Sequence, residues 1–226
     1  MILLALLKEW LAARLARPPV YSSLHARSGA ASLALVWLMV AAGCATTPPV
    51  NVENICAIFD DKRGWYRDAK KSEKRWGTPI HVQLAIIRQE SSFRFNARPP
   101  RQKLLGVIPW KRPSNAYGYA QALDSTWKAY KDDTGRRFAD RDDFGDAIDF
   151  VGWYTDVSAR TVGISKWDPY NQYLAYHEGQ GGWQRKSYRK KNWLKETARG
   201  VEYRAEEWGQ QLRICEDNLD SGWWIF

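Results

Sequence analysis

The chain has 226 residues, 45% hydrophobic and 26% charged, which excludes a disordered polymer and suits one compact domain with additional sequence at an end. The formal charge of +9 raises nucleic acid as a partner, but Met1 to Gly43 carries Lys8, Arg14, Arg17 and Arg27 against Glu9, a net +3, so only +6 remains for the rest. The densest basic run, Arg185 to Lys191, reads as a solvated face or as a stripe meeting anionic lipid or acidic wall polymer, and no nucleic acid is expected. The 13 Trp and 11 Tyr exceed what a core of this size needs; flat aromatic faces stack on sugar rings, although most of these rings are expected in the core.

Ser32 to Cys44 reads SLALVWLMVAAGC, an apolar run after Arg27 that ends in small residues before a cysteine. It is shorter than the ~20 apolar residues that span a bilayer and fits the h-region of a signal peptide. The run resembles a bacterial lipobox, with Ala42 and Gly43 before Cys44 and Ala41 where Leu is commoner. Residues 1–43 are therefore expected to be a signal peptide. Cys44 is expected to carry the lipid that anchors the exported protein to a membrane, the outer one, facing the periplasm; a plain signal peptide cut nearby is the alternative. Met1 to Arg27 is long for an n-region and looks like a separate amphipathic helix, so a start at Val20 or Leu24 is an alternative. Residues 44–52, with Ala45-Thr46-Thr47-Pro48-Pro49, read as a short tether.

With Cys44 lipidated, Cys56 and Cys215 remain in a chain sent to an oxidising compartment. A disulfide between them is expected, closing nearly the whole folded region. Two free buried thiols are the alternative.

After residue 50 the periodicity is helical almost throughout, and no alternating run predicts a strand. Ile55, Phe59, Tyr66 and Ala69 predict a first helix, and Thr78-Pro79 opens a second. Arg98 to Asn115 is rich in Pro and basic residues and reads as a long loop. Asp124-Ser125 begins a third helix ending by Gly135, Asp143 to Val162 forms a fourth, and Asp168-Pro169 caps a fifth. In the last helix Leu194, Ala198, Val201, Ala205, Trp208, Leu212 and Cys215 keep a three-four spacing, so Cys215 points inward. One domain is expected over residues 53–216. A Trp-rich tail, residues 217–226, follows, whose Trp223-Trp224-Ile225-Phe226 end folds back onto the domain or dips into a membrane interface.

Ile80 to Glu90 reads IHVQLAIIRQE, and Val82, Ile86 and Ile87 place Glu90 on or beside the buried face of its helix. An ionised carboxylate is costly there, so its pKa should rise. A general acid for glycosidic cleavage needs that property. Taken alone, such a glutamate is more often a helix-end or salt-bridged residue.

Its context is more specific. Glu90-Ser91-Ser92-Phe93 is followed by Gly118-Tyr119-Ala120-Gln121 and then by Ala175-Tyr176-His177-Glu178-Gly179. In this order the chain resembles the soluble-lytic-transglycosylase family, whose pattern is a Glu-Ser pair ending a buried helix, a Gly-Leu-Met-Gln turn and an Ala-Tyr-Asn-x-Gly helix end. The resemblance implies a mostly α, lysozyme-like (goose-type) single globular domain of about seven helices. It also implies cleavage of peptidoglycan glycan strands at the MurNAc–GlcNAc β-1,4 bond to give 1,6-anhydroMurNAc, with Glu90 as sole acid and base. Ser91, Gly118, Tyr119, Gln121, Tyr176 and His177 are then expected along the sugar groove, with Gln121 and Tyr176 orienting Glu90 or the substrate's acetamido group. Read without the resemblance, Gln121 is a capping amide and Tyr176 a core tyrosine.

The chain departs from the pattern at Tyr119-Ala120 in place of Leu-Met and at His177-Glu178 in place of Asn and a variable residue. Ala120 removes a pocket wall that Tyr117, Tyr119 or Trp110 can refill. Glu178 is read as facing solvent, with a second catalytic carboxylate as the alternative. The competing functions are a hydrolytic muramidase, using Glu178 or Asp124 to position water, and a wall-binding lipoprotein without turnover. His25 falls in the signal, His81 reads as sitting on an exposed first helical turn, and His81 and His177 lack spaced companions, so no metal and no cofactor is expected. Which cell-envelope machinery recruits the protein is left open.

Overall fold

The computed structural model describes residues 47–104 and 107–221. The expected signal peptide, Cys44 and the Trp223–Phe226 end of the tail lie outside the described residues. Among the described residues the chain is mostly α-helical, as anticipated, with eight α-helices, one 3-10 turn and a two-residue antiparallel strand pair. No described helix is long and apolar enough to cross a membrane.

The single first helix read from Ile55 to Ala69 is two, α1 (Ile55–Asp61) and α2 (Arg63–Trp76). The break falls at Lys62, whose φ of −117° and ψ of 64° leave the helical region. Neither Gly nor Pro marks the spot. Lys62 turns inward, and its ammonium reaches Thr47 Oγ1 at 3.3 Å and Asp61 at 3.6 Å. The expected tether is likewise docked from Thr47 onward: Pro49 is buried and the Val50 N–H donates to Asp61 Oδ2 at 3.1 Å.

Helix α3 (Ile80–Ser91) is the central element. Ile80, Val82, Leu84, Ala85, Ile86 and Ile87 are all buried, so it is apolar around most of its circumference, as a core helix must be. The long loop that follows carries the strand pair β1 (Lys103–Leu104) and β2 (Ile108–Pro109), too short to leave an alternating signature. Helices α4 (Asp124–Thr134), α5 (Phe144–Val162) and α6 (Pro169–Glu178) begin and end close to where their caps indicated. Asp143 and Asp168 accept the N–H groups of Asp146 and Asn171, and left-handed Gly135 and Gly163 close α4 and α5. Short α7 (Gln180–Gln184) and the 3-10 turn Ser187–Lys190 lead into α8 (Asn192–Ser221).

The buried stripe of α8, from Leu194 through Trp208 to Leu212, packs against α3 and α6. Helix α8 also closes the amino-terminal end of the domain. Gln211 Oε1 accepts the Ile55 N–H at 2.9 Å, and a Cys56–Cys215 disulfide joins residues 159 apart in sequence. The helix continues through Ser221 rather than ending at 216, and Asp220 accepts the Tyr66 hydroxyl at 2.6 Å. Behind α3, buried Asp149 of α5 gathers Tyr130 Oη at 2.6 Å, Trp76 Nε1 at 2.9 Å and the guanidinium groups of Arg75 and Arg136, each at 3.1 Å. Nothing in the sequence pattern singled this polar hub out, since one aspartate within a helix carries no spacing signal.

Candidate active site

Three segments distant in sequence meet at the carboxyl end of α3: the α3 terminus itself, the turn Tyr117–Ala122 and the last two turns of α6. Glu90 is half-buried, and the Tyr173 hydroxyl is its nearest polar influence, favouring the carboxylate. Burial raises its pKa to about 7, against a smaller lowering by the Tyr173 hydroxyl. Among the described residues no other carboxylate contributes to the shift. Just beyond Glu90, Ser92 and Phe93 both hold left-handed φ values, 53° and 60°. A bulky residue there is strained. Full burial of Phe93 against Trp65 and Trp208 holds it in place, which turns the chain away sharply and leaves the end of α3 accessible to the loop and to α6.

The turn is built around Gly118. Its φ is 80°, and a β-carbon would fall 2.0 Å from the Arg141 carbonyl oxygen, so no other residue fits. The Gly118 N–H donates to Ala97 O at 3.0 Å, and the Gln121 amide nitrogen donates to Ala97 O and Gly118 O at 2.8 and 3.0 Å. Gln121 thus caps the turn with its NH2, while its Oε1 has no protein partner among the described residues. Tyr176 donates its hydroxyl to Ala120 O at 2.6 Å, which ties α6 to the turn. Burial and the nearby Glu90 charge push its pKa up.

Several expected groove residues stand elsewhere. Ser91 is buried and its hydroxyl donates back to Ile87 O at 3.2 Å, so it offers no exposed group to a ligand. Tyr119 is a core ring, edge-on to Trp65 and Phe144, because the residue after Gly118 is turned inward by its N–H bond to Arg141 O. Tyr117 lies between the Arg98 and Arg141 guanidinium groups, 4.3 and 5.3 Å from its ring centre. Neither tyrosine therefore refills the space beside buried Ala120.

Glu178 does not face solvent. Its side chain is only 5% exposed, and its carboxylate accepts from Lys191 Nζ at 2.6 Å, His177 Nδ1 at 3.0 Å and the Ser187 hydroxyl. Burial alone would raise its pKa, but these three donors outweigh it and hold the group ionised, with a pKa of about 2. Asp124 is also committed, to Arg141 and to Asn115, each at 2.8 Å. His177 leans edge-on against Trp193, with ring centres 5.2 Å apart. His81 is half-buried against Gly209 of α8 rather than exposed, and burial lowers its pKa.

Tyr173 was missed. It lies three residues before Tyr176, a spacing that places both tyrosines on one face of α6 and would have flagged it. Among the described residues no cluster of three or more His, Cys, Asp or Glu side chains is arranged to hold a metal ion.

Fold and site together define a lysozyme-like, all-α domain. The family model of the transglycosylase SLT domain matches residues 32–215, most of the chain, and the chain belongs to that family. No curated protein matches it. The family's domain is a lytic transglycosylase module that acts on peptidoglycan.

Proposed function

We propose that the protein is an exported, lipid-anchored lytic transglycosylase that cleaves the MurNAc–GlcNAc β-1,4 bond and closes a 1,6-anhydro ring, with Glu90 as its sole acid and base. The observation that carries this reading is a half-buried carboxyl with a pKa of about 7 and no second carboxylate acting on it. At neutral pH a large fraction of Glu90 holds a proton, as a general acid requires. Glu90 donates that proton to the glycosidic oxygen as the bond from the MurNAc anomeric carbon breaks. The substrate's own acetamido oxygen shields the developing cation. The Glu90 carboxylate, steadied by the Tyr173 hydroxyl, then takes the proton of the sugar's 6-hydroxyl as that oxygen bonds the anomeric carbon. One proton is returned to Glu90, and no water is consumed. An intramolecular hydroxyl competes well with water because its effective concentration is very high.

Gln121 supports this reading, since its unengaged Oε1 is available to accept the acetamido N–H. A hydrolytic route more often uses a second carboxylate to position water, and Glu178 and Asp124 are both held in ion pairs. The anchor is proposed on Cys44, with the protein on the periplasmic side of the outer membrane, from the run ending in Ala42-Gly43-Cys44. The test is digestion of purified sacculi in heavy-oxygen water followed by mass spectrometry. Unlabelled 1,6-anhydroMurNAc ends are expected, and predominantly labelled reducing ends would replace this assignment with muramidase. Lipid labelling of wild type but not Cys44→Ala tests the anchor.

A further inference from the structure

Tyr173 and His177 are one helical turn apart on α6 and share a face, about 6 Å along the axis. Tyr173 meets Glu90, and His177 meets Trp193 at the start of α8. Trp193 is thereby tied, through His177, to the same helix whose Tyr173 meets the carboxyl. It is 55% exposed, although α8 buries its neighbour Leu194 completely. A large, half-exposed aromatic steadied by a second ring offers apolar surface on which a sugar can stack.

Beside it lies a concentration of unneutralised charge. Arg185, Lys186, Arg189 and Lys190 are exposed and form no ion pair among the described residues, whereas Lys71, Lys128 and Arg160 elsewhere on the surface each pair with an acid within the same helix. These cations are not on a loose loop. The Glu178 carboxylate accepts from Ser187 and from Lys191, which enclose Arg189 and Lys190, and so ties that 3-10 turn to the end of α6 that carries His177, with Arg185 and Lys186 immediately before it. Lys186, which leads into that turn, holds a left-handed φ of 58°, and its N–H donates to Trp183 O at 2.9 Å.

We infer that Trp193 and the basic turn Arg185–Lys190 form a subsite for a peptide-bearing sugar next to the cleaved bond, Trp193 stacking on the ring and the turn's cations pairing with the stem-peptide carboxylates. The inference rests on peptidoglycan being the substrate. It makes the enzyme prefer strands that retain their stem peptides. Four exposed cations close together in sequence also attract an approaching anionic chain, so the preference falls with salt.

The test is binding, measured on the full chain carrying Glu90→Gln, so its outcome does not depend on which product is formed. Solubilised glycan strands with stem peptides, and the same strands stripped by an amidase, are the two probes. Peptide-bearing strands should bind more tightly at low salt, and Arg189→Gln/Lys190→Gln should cut that preference by roughly fivefold while leaving stripped strands unaffected. Trp193→Ala should weaken both probes alike, and Trp193→Phe should restore most of the loss. Equal binding of the two probes by the parent protein, or an unchanged preference in the double variant, would overturn the inference. So would a loss in the double variant confined to anionic phosphatidylglycerol vesicles, which would make the turn a membrane contact. If this preference holds while sacculus digestion yields labelled reducing ends, the subsite stands and the transglycosylase reading falls.

Discussion

The hydroxyl of Tyr173 on α6 favours the ionised carboxyl of Glu90 on α3 and so acts against the burial that drives that carboxyl's pKa upward. The two effects together leave Glu90 near pH 7, where it can both give and take a proton.

Removing the hydroxyl should therefore move the pH profile. General-acid action needs the protonated form, so kcat/KM of the wild type should fall as pH rises through about 7. Tyr173→Phe deletes the one interaction that favours the carboxylate, which raises the Glu90 pKa further. The alkaline limb should shift to higher pH, while the later step that needs the carboxylate slows. A profile that stays in place, or moves towards acid, would show that Tyr173 does not set the protonation of Glu90.

A carboxyl with a raised folded-state pKa also costs stability once it ionises. The folded state holds the Glu90 proton up to about pH 7, whereas the unfolded chain loses it near 4.5, so this contribution declines as pH rises between those values. Glu90→Gln should abolish cleavage. It should also be about 1–3 kcal/mol more stable than wild type at pH 8, discounted for partial exposure, and nearly equal to it at pH 4. Thermal melts at the two pH values decide this, because a purely structural glutamate would lose stability on substitution at both.

The elements with explicit end signals were legible in the sequence: Asp143, Asp168 and Pro169 start helices where expected, and Gly135 and Gly163 end them. The stripe of α8 likewise announced the inward face that carries Cys215. The break at Lys62 was not legible, because tertiary contacts of its ammonium cause it and no local residue preference does. In the site, the motifs brought together Glu90, Gly118, Gln121 and Tyr176. Order along the chain does not say which way a side chain points, so Tyr119 and Ser91 were read as facing the groove when backbone bonds turn them inward. Glu178 was misjudged for the same reason: its partners Ser187 and Lys191 lie beyond the helix end and come back to it only in three dimensions.

Gly118→Ala should be among the most damaging single-atom-scale changes. The new methyl carbon would sit 2.0 Å from a backbone oxygen, at a φ that L-residues rarely adopt, so the turn must move. That displaces Ala120 O from Tyr176 and the Gln121 amide from Ala97 O. A loss of about 2–4 kcal/mol and a fall in activity larger than the unfolded fraction explains are expected, checked by urea denaturation and by turnover of sacculi. Retention of both wild-type values would mean the turn is not coupled to the site.

Reducing the Cys56–Cys215 bridge should destabilise the domain strongly, because it closes nearly the whole fold. With the cysteines 159 positions apart in sequence, the chain-entropy account gives about 5 kcal/mol as an upper figure. Cys56→Ser/Cys215→Ser should accordingly melt well below the oxidised protein, and reductant should reproduce the shift in wild type. Coincident melting curves with and without reductant would contradict it.

The last prediction separates holding the site together from performing its chemistry, and Glu178 is the residue that does so. Its carboxylate is ionised down to about pH 2 and is occupied by Lys191, Ser187 and His177, so it has no proton to give near neutrality and no free face with which to activate water. Glu178→Gln should leave the product as the 1,6-anhydro form and retain substantial activity. The same change removes the ion pair that clamps the Ser187–Lys190 turn, so stability at pH 7 should drop by about 1–2 kcal/mol, since Lys191 is partly exposed and the pair is partly screened. A lowered folded-state pKa means that the wild-type contribution is present above about 4.5 and is lost as pH falls towards 2. The stability gap between wild type and Glu178→Gln should therefore close on acidification. Urea denaturation at pH 7 and at pH 3, with product analysis at pH 7, tests both halves. A variant as inactive as Glu90→Gln, yet fully folded, would show that a second carboxylate takes part in bond cleavage, and the single-acid mechanism would have to be abandoned.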